Sequence, residues 1–376
     1  MKAAVLHEAG QPLKIEEVSI SSPKDREVLV RIAATGVCHS DLNTAKGLSR
    51  GTLPVILGHE ASGIVAEVGA GVTKVKPGDR VILSWAPNCG QCFYCHETLP
   101  TMCDQYLAGA TRGGLWDGTS RLTFGPQAAF DGGQKIHHYS CVSSFAEYSV
   151  VPEAGCIKID DDIPFDVAAL VGCAVTTGFG AVVNDAKVKP GASVVVVGVG
   201  GVGINAIQAA ALSGARTIIA VDLNDTKQEV AAKFGATHFV NPAKEDALAY
   251  VKAQTEGRGA DHVIECTGRP PALNMGYQLL RSGGTMVVVG IAGFGEEMKI
   301  AASTLPNTQR KIVGSNYGGG MPEEDIKRIL ALYKAGRLDL DSQVGKRITL
   351  DQVNEAFDWL EQGVLARTII EFADVA

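Results

Sequence analysis

The sequence predicts an α/β chain of two domains: a β-rich N-terminal part forming a partly open β-barrel, and a six-stranded parallel sheet flanked by helices. Three observations predict it. At 376 residues the chain is long for a single hydrophobic core. Short alternating or β-branched segments separated by turn formers fill the first third. From about Phe165 the texture changes, and apolar strands alternate with helical stretches.

In the first third, segments 27–32 (EVLVRI), 63–68 (GIVAEV) and 80–83 (RVIL) read as strands, with turns such as Lys76-Pro77-Gly78-Asp79 between them. No helical period is sustained there. The second domain supplies strands at 194–197, 217–221, 238–240, 262–266, 285–289 and 311–314, the six that a full dinucleotide-binding sheet requires. After it come a helix (EEDIKRILALYKAG, ended by Gly336), a helical piece at 351–362 and a strand at 367–372. A six-stranded sheet is complete without this tail, so the tail is assigned back to the first domain. The expected boundaries are 1–174, 175–318 and 319–376.

The most specific stretch is 193–222. Four consecutive valines form a strand buried on both faces. Gly198, Gly200 and Gly203 then spell GxGxxG ahead of a run of small apolar residues, and a second strand ends at Asp222, 19 positions past Gly203. Each glycine does something different. Gly198 makes the tight turn, Gly200 lets the backbone approach a pyrophosphate, and Gly203 lets helix and strand pack closely. The helix N-terminus offers free N–H groups to the phosphates. This is a Rossmann dinucleotide site. Asp222 can accept both hydroxyl hydrogens of an adenosine ribose and repels a 2′-phosphate; Leu223 and Asn224 follow it, so no arginine waits to neutralise one. The cofactor expected is NAD rather than NADP.

Composition narrows the rest. The net charge is −7 with no basic block, which argues against nucleic acid as a partner. The uncharged run between Gly191 and Ala215 is a poor membrane span, because Asn205, Gln208, Ser213 and several glycines interrupt it. The N-terminus has no apolar signal core, so a cytoplasmic location is expected. Disulfides are then a less fitting use for nine cysteines than metal. Cys89, Cys92, Cys95 and Cys103 crowd into fifteen residues, and four thiolates can close a tetrahedral shell around a structural zinc. An iron–sulfur cluster is the rival, since sulfur-only ligands admit it. His96 reads as a surface residue of this lobe. Cys38 (GVCHSDL), His59 (LGHEASG) and Cys173 (LVGCAVTTG) are dispersed, and spacing alone leaves them open between core residues and ligands.

Those motifs, with PVILGHEASGIVAEVG, the four-cysteine lobe, GVGGVG and the terminal ARTII, resemble the zinc-dependent medium-chain alcohol dehydrogenase family over essentially the whole chain and in the right order. The resemblance implies that the N-terminal barrel is a GroES-like catalytic domain. It implies Cys38, His59 and Cys173 as ligands of a catalytic zinc, beside the structural one, with a fourth position open to water or substrate. Glu60 matches an acid that approaches the metal during ligand exchange, and Asp41 a carboxylate that orients the ligand histidine. Ser40 matches the hydroxyl that passes the substrate proton outward. His39, Arg367 and Arg269 match pyrophosphate contacts, Lys227 a ribose contact, and Trp85 an aromatic wall of the substrate pocket.

One position departs from the family pattern. Where many members carry a histidine at the outer end of the proton relay, this chain has Asn43, which takes up no proton near neutral pH; it reads equally as a turn residue. Within 104–139, the pieces DGTSRLTF and KIHHY resemble the dimeric branch, GPQAAFDGG reads as added length, and His137 and His138 as loop surface. The implied assembly is a homodimer, with a tetramer as the alternative.

The activity implied is hydride transfer between a primary alcohol, medium-chain aliphatic or aromatic, and NAD, with the site between the two domains. Two alternatives stand beside it. One is a glutathione-dependent formaldehyde dehydrogenase, for which no cation to hold the glutathione carboxylates is assigned. The other is a non-catalytic NADH-binding sensor, which predicts loss of Cys38, Ser40, His59 or Cys173; all four are present.

Overall fold

The computed structural model describes residues 1–49, 51–125, 134–363 and 367–372. The chain forms two compact units: residues 1–173 with 321–328 and 340–376, and residues 174–320 with 329–339. Most of GPQAAFDGG lies outside the described residues.

The first unit opens with strands β1 (Lys2–Leu6), β2 (Lys14–Ile20), β3 (Glu27–Gly36), β4 (Val55–Ile56), β5 (Glu60–Val68) and β6 (Arg80–Leu83). It continues with β7 (Leu122–Phe124), β8 (Lys135–His138), β9 (Tyr148–Pro152) and β10 (Cys156–Lys158). The second unit supplies β11 (Ser193–Val197), β12 (Thr217–Val221), β13 (His238–Val240), β14 (Ala260–Glu265), β15 (Leu280–Val288) and β16 (Lys311–Gly314). The tail adds β17 (Val344–Ile348) and β18 (Arg367–Glu371) to the first unit.

The barrel is closed, in the order β1-β2-β7-β8-β4, where the sequence pattern predicts a partly open one. The two-residue strand β4 closes it: Val55 and Ile56 pair with Leu6 and Val5 on one side and with His137 and His138 on the other. No periodicity marks so short a strand. Leu6, Ile56, Ile136 and Phe145 are fully buried in the adjoining core.

A second sheet runs β10-β6-β5-β3-β18-β17, with β9 also on β3. Its long central strand β3 is buried along most of its length, as a strand flanked on both edges must be. The tail splits: residues 319–320 and 329–339 cluster with the second unit, and the rest of it joins the first.

In the second unit all neighbouring strands are parallel, in the order β13-β12-β11-β14-β15-β16. Strand order reverses between β11 and β14, which places the Gly198–Gly203 turn at the switch point, where such sheets bind ligands. The run 193–215 is a buried strand followed by a mostly buried helix, Gly201–Leu212. The helical stretch Phe165–Ala186 is long and apolar enough to cross a membrane, but 89% of its most apolar window is buried within the protein, the state of a core helix.

His138 is buried rather than on the loop surface. Its neighbour in space, Arg121 of the DGTSR motif, is among the largest fully buried side chains of the described residues, and its guanidinium is matched to Glu27 (2.8 and 2.5 Å) and Asp117 (2.8 Å). Such pairing is what a buried cation requires. The backbone N–H of Arg121 donates to His138 Nε2 at 3.2 Å, a contact that needs the neutral ring. Burial, with the nearby Arg121 charge, pushes the His138 pKa down to about 3. An unfolded histidine takes its proton near 6.5, so stability is full above that pH and falls as pH drops toward 3. We expect His138→Gln to flatten the decline in unfolding free energy between about pH 6.5 and 4, measured by denaturant titration at several pH values.

Candidate active site

Cys38, His59, Glu60 and Cys173 meet in the first unit, with one donor atom from each inside 4.8 Å of the others and all four residues buried. Three pieces of local structure bring them there. Cys38 caps helix α1 (His39–Ala45), directly after β3. His59 and Glu60 lead into β5. Cys173 sits in a π-helical turn, Val171–Val175, the kind of irregular turn often found at functional positions. Its neighbour Gly172 lets this turn approach the sheet: a Cβ there would stand 3.1 Å from the Leu83 carbonyl oxygen.

The fully buried Asp41 carboxylate ties two of these pieces together. Oδ2 accepts the Cys38 N–H at 3.2 Å, and Oδ1 accepts the Gly58 N–H and the His59 Nδ1 proton, both at 3.0 Å. With Nδ1 committed, His59 turns Nε2 inward, 3.4 Å from the Cys173 sulfur. Gly58 has φ +89°, and a side chain there would strike Phe145 and Ser144 within 2.7 Å. Glycine is required.

The electrostatics suit a cation. A hydrogen bond from Cys173 overcomes burial and, with His59 and Arg367 nearby, holds the Cys38 thiol well below its ordinary pKa; Cys173 is pushed up in return. Burial alone would lower His59, but Asp41 and Cys38 raise it. Burial lifts Glu60 to about 7 against the pull of Arg367, whose guanidinium pairs with Oε2. Glu60 Oε1 is buried with no hydrogen-bond partner among the described residues. Two sulfurs, an imidazole nitrogen and an orphaned carboxylate oxygen fit a zinc ion.

The lobe gathers separately. The sulfurs of Cys89, Cys92, Cys95 and Cys103 also lie within 4.8 Å of one another. Backbone N–H groups of Cys89 and Asp104 point at the sulfurs of Cys103 (3.3 Å) and Cys92 (3.5 Å), and the Asp104 contact brings Cys92 down to about 7. His96 is exposed and outside the cluster.

At the glycine turn, Gly198 has φ +92° and Gly203 packs so tightly that a Cβ would meet the Gly198 carbonyl oxygen at 1.9 Å. Gly200 faces open space, leaving the backbone approachable at the start of the 12-residue helix. Asp222 accepts the Val199 N–H at 2.8 Å and lies 3.2 Å from Lys227 Nζ, so both expected ribose contacts stand beside the turn. This cradle fits a dinucleotide. Arg269, exposed, begins the helix Pro270–Leu279 beyond Thr267, whose methyl abuts Gly198. His39 is exposed on the first turn of α1, whereas Arg367 is buried on Glu60.

Ser40 Oγ is 3.9 Å from the Cys38 sulfur. Trp85 meets the His59 ring edge-on at 6.4 Å and the Tyr106 ring at a tilt, 6.2 Å away. Tyr139 also stands edge-on to His59, at 5.6 Å. Tyr106 and Tyr139 escape prediction from sequence, because nothing in the spacing of the segment 104–139 points one at Trp85 or the other at His59; KIHHY is the stretch that contains a usable signal.

The family models match residues 24–161 as an alcohol dehydrogenase GroES-like domain and residues 201–335 as a zinc-binding dehydrogenase. The alcohol dehydrogenase class-3 of Cereibacter sphaeroides is 40% identical over 99% of both chains. The chain belongs to the zinc-binding alcohol dehydrogenase family. This dehydrogenase is also similar to the S-(hydroxymethyl)glutathione dehydrogenase of Paracoccus denitrificans, 39% identical over 98% of this chain and 99% of that one. Among solved structures, the benzyl alcohol dehydrogenase of Acinetobacter calcoaceticus matches with a TM-score of 0.92 and 32% identity, covering 99% of each chain. Zinc is thus the metal of the family, rather than the iron–sulfur cluster that the lobe alone admits.

Replacing Asp41 with asparagine in the dehydrogenase puts an N–H₂ where an acceptor is needed. We expect a 10–100-fold loss of zinc affinity at the Cys38 cluster, measured by competition with a chelator. For Cys92→Ser we expect one of the two metal equivalents to be lost, with a lower melting temperature and a smaller effect on turnover per folded molecule, measured by metal analysis, calorimetry and assay.

Proposed function

We propose that this dehydrogenase interconverts a primary alcohol, medium-chain aliphatic or aromatic, and its aldehyde, with NAD as the hydride carrier. The observation that carries the reading is the cluster of Cys38, His59 and Cys173, which spends three protein donors on a metal and stands among aromatic rings. When bound, zinc supplies Lewis acidity toward the substrate oxygen and the dinucleotide supplies the hydride acceptor.

The chain's own residues do the rest. Asp41 keeps His59 in the tautomer that offers Nε2 inward. Ser40, next to Cys38, takes the hydroxyl proton of the substrate and hands it on. Asn43 takes up no proton, so the outer step passes to the cofactor ribose and water or to another base. Glu60 is the acid held close to the metal ligands, with its charge balanced by Arg367. Trp85 and the two tyrosines exclude water and favour an apolar substrate. Asp222 receives the ribose hydroxyls, and Gly200 with the first N–H groups of its helix receives the pyrophosphate. Lys227 and Arg269 supply cations for the cofactor, and His39 a basic side chain near its pyrophosphate. Arg367 would serve the pyrophosphate only by leaving Glu60. The same reading has the protein as a cytoplasmic homodimer.

A second reading, oxidation of S-(hydroxymethyl)glutathione, is favoured by the name of the Paracoccus denitrificans relative. Glutathione brings two carboxylates. The cation seen at the metal cluster, Arg367, is already paired, and the rings described around His59 are aromatic. We therefore expect kcat/KM for benzyl alcohol or hexanol with NAD to exceed that for S-(hydroxymethyl)glutathione, measured by NADH absorbance; the opposite order selects the second reading. We also expect Asp222→Gly with Leu223→Arg to move the NAD-to-NADP preference by at least about tenfold toward NADP, the worth of one charged contact.

A further inference from the structure

The turn that follows β8 holds unusual backbone strain. Ser140, Cys141 and Ser143 all adopt left-handed conformations, with φ of 50°, 56° and 55°, so three of the nine such non-glycine residues described fall within four positions. Conformations of this kind persist only where the surroundings over-determine them. Here the turn closes around one peptide. The Tyr139 N–H donates to Ser143 Oγ at 2.8 Å, and the Tyr139 carbonyl accepts the N–H groups of Val142 (2.9 Å) and Ser143 (3.1 Å). The chain then runs alongside the metal-ligand loop, where Ser144 N–H donates to the Gly58 carbonyl at 3.0 Å and Phe145 N–H to that of Leu57 at 2.9 Å.

The turn holds the Tyr139 backbone, and the side chain extends from it toward the metal ligands and α1. Its ring stands edge-on to His59, and its hydroxyl donates to the Ser40 carbonyl at 3.2 Å while accepting from Thr44 Oγ1 at 3.2 Å. Thr44 Oγ1 also lies 3.0 Å from the Ser40 carbonyl and 2.7 Å from Ser49 Oγ. The phenol therefore bridges the His59 side of the cluster to the first turns of α1, which carry Ser40 and Asp41. Helix α1 has only seven residues, and Asp41 anchors its first turn on the side of Gly58 and His59, whereas the phenol grips the Ser40 carbonyl.

We infer that Tyr139 is a positioning residue: the strained turn aims its hydroxyl at the first turns of α1 and so fixes the place of Ser40 relative to the metal ligands. The inference rests on the proposed alcohol chemistry and on the part that Ser40 takes in it. Phenylalanine at 139 keeps the ring against His59 and removes only the clamp.

The test is Tyr139→Phe in the full-length zinc-loaded enzyme, alone and combined with Ser40→Ala. We expect both metal equivalents to be retained, and kcat for the best alcohol to fall about tenfold with KM within about twofold, the scale of one lost hydrogen bond acting on the reacting geometry. On the Ser40→Ala background the same change should cost less than about twofold, because the clamp acts through Ser40. Backbone amides of 39–45 should exchange hydrogen about tenfold faster in the variant, whether or not it turns over, and Ser143→Ala should move kcat in the same direction. An unchanged kcat, a loss confined to KM, full additivity in the double variant or unchanged exchange in α1 would each overturn the clamp. Wild-type kcat in Ser40→Ala alone would instead overturn the relay reading beneath it.

Discussion

A single buried carboxylate organises the metal cluster. Asp41 accepts the N–H of Cys38, the N–H of Gly58 and the Nδ1 proton of His59, so one side chain sets the distance between two ligand segments and the tautomer of a third group. A carboxylate suits this position because it is acceptor-only, and each of its partners is a donor. Its complete burial strengthens those bonds and makes any vacancy among them costly. The positive φ of Gly58 follows from the same constraint, since only glycine lets the backbone turn its N–H toward Asp41 with Phe145 packed against it.

The second demand on this site is charge. Two thiols, two carboxylates and an imidazole are brought out of water into one small volume, and Arg367 is the cation seen among them. The shifts run in the directions that such crowding imposes: the acid Glu60 is pushed toward its neutral form by burial, while one thiol of the cysteine pair gives up its proton more easily because the other donates to it. A divalent metal answers the same imbalance. The sulfur lobe is different in kind, with three partly exposed cysteines and the buried Cys103, and with backbone N–H groups aimed at two of the sulfurs.

Features written in contiguous residues are legible in the amino-acid sequence itself. The valine strand, the glycine turn and Asp222 lie within thirty residues, and the lobe cysteines within fifteen, so local spacing alone predicts their geometry. Cys38, His59 and Cys173 are separated by up to 135 positions, and only resemblance to a family brings them together. Barrel closure depends on β4, two residues whose pairing with β8 is a non-local event without a periodic signature. His138 reads as polar loop because its partner is the backbone of Arg121, a residue buried on Glu27, 94 positions before it. Tyr139 is hidden for a similar reason: its role depends on the left-handed turn after it, and serine and cysteine give no hint of that conformation.

The last strand gives the order of synthesis a structural meaning. Strand β18 pairs with β3 through Ile369 and Gly36, and its first residue, Arg367, brings the counter-charge to Glu60. A ribosome has therefore made every ligand side chain of both metal clusters before the guanidinium that pairs with Glu60 emerges. Until β18 leaves the exit tunnel, the end of β3 at Ala34, Thr35 and Gly36 lacks one of its partners and Glu60 lacks its cation. Chains cut short ahead of Arg367 carry all the metal ligands and lack the guanidinium that pairs with Glu60.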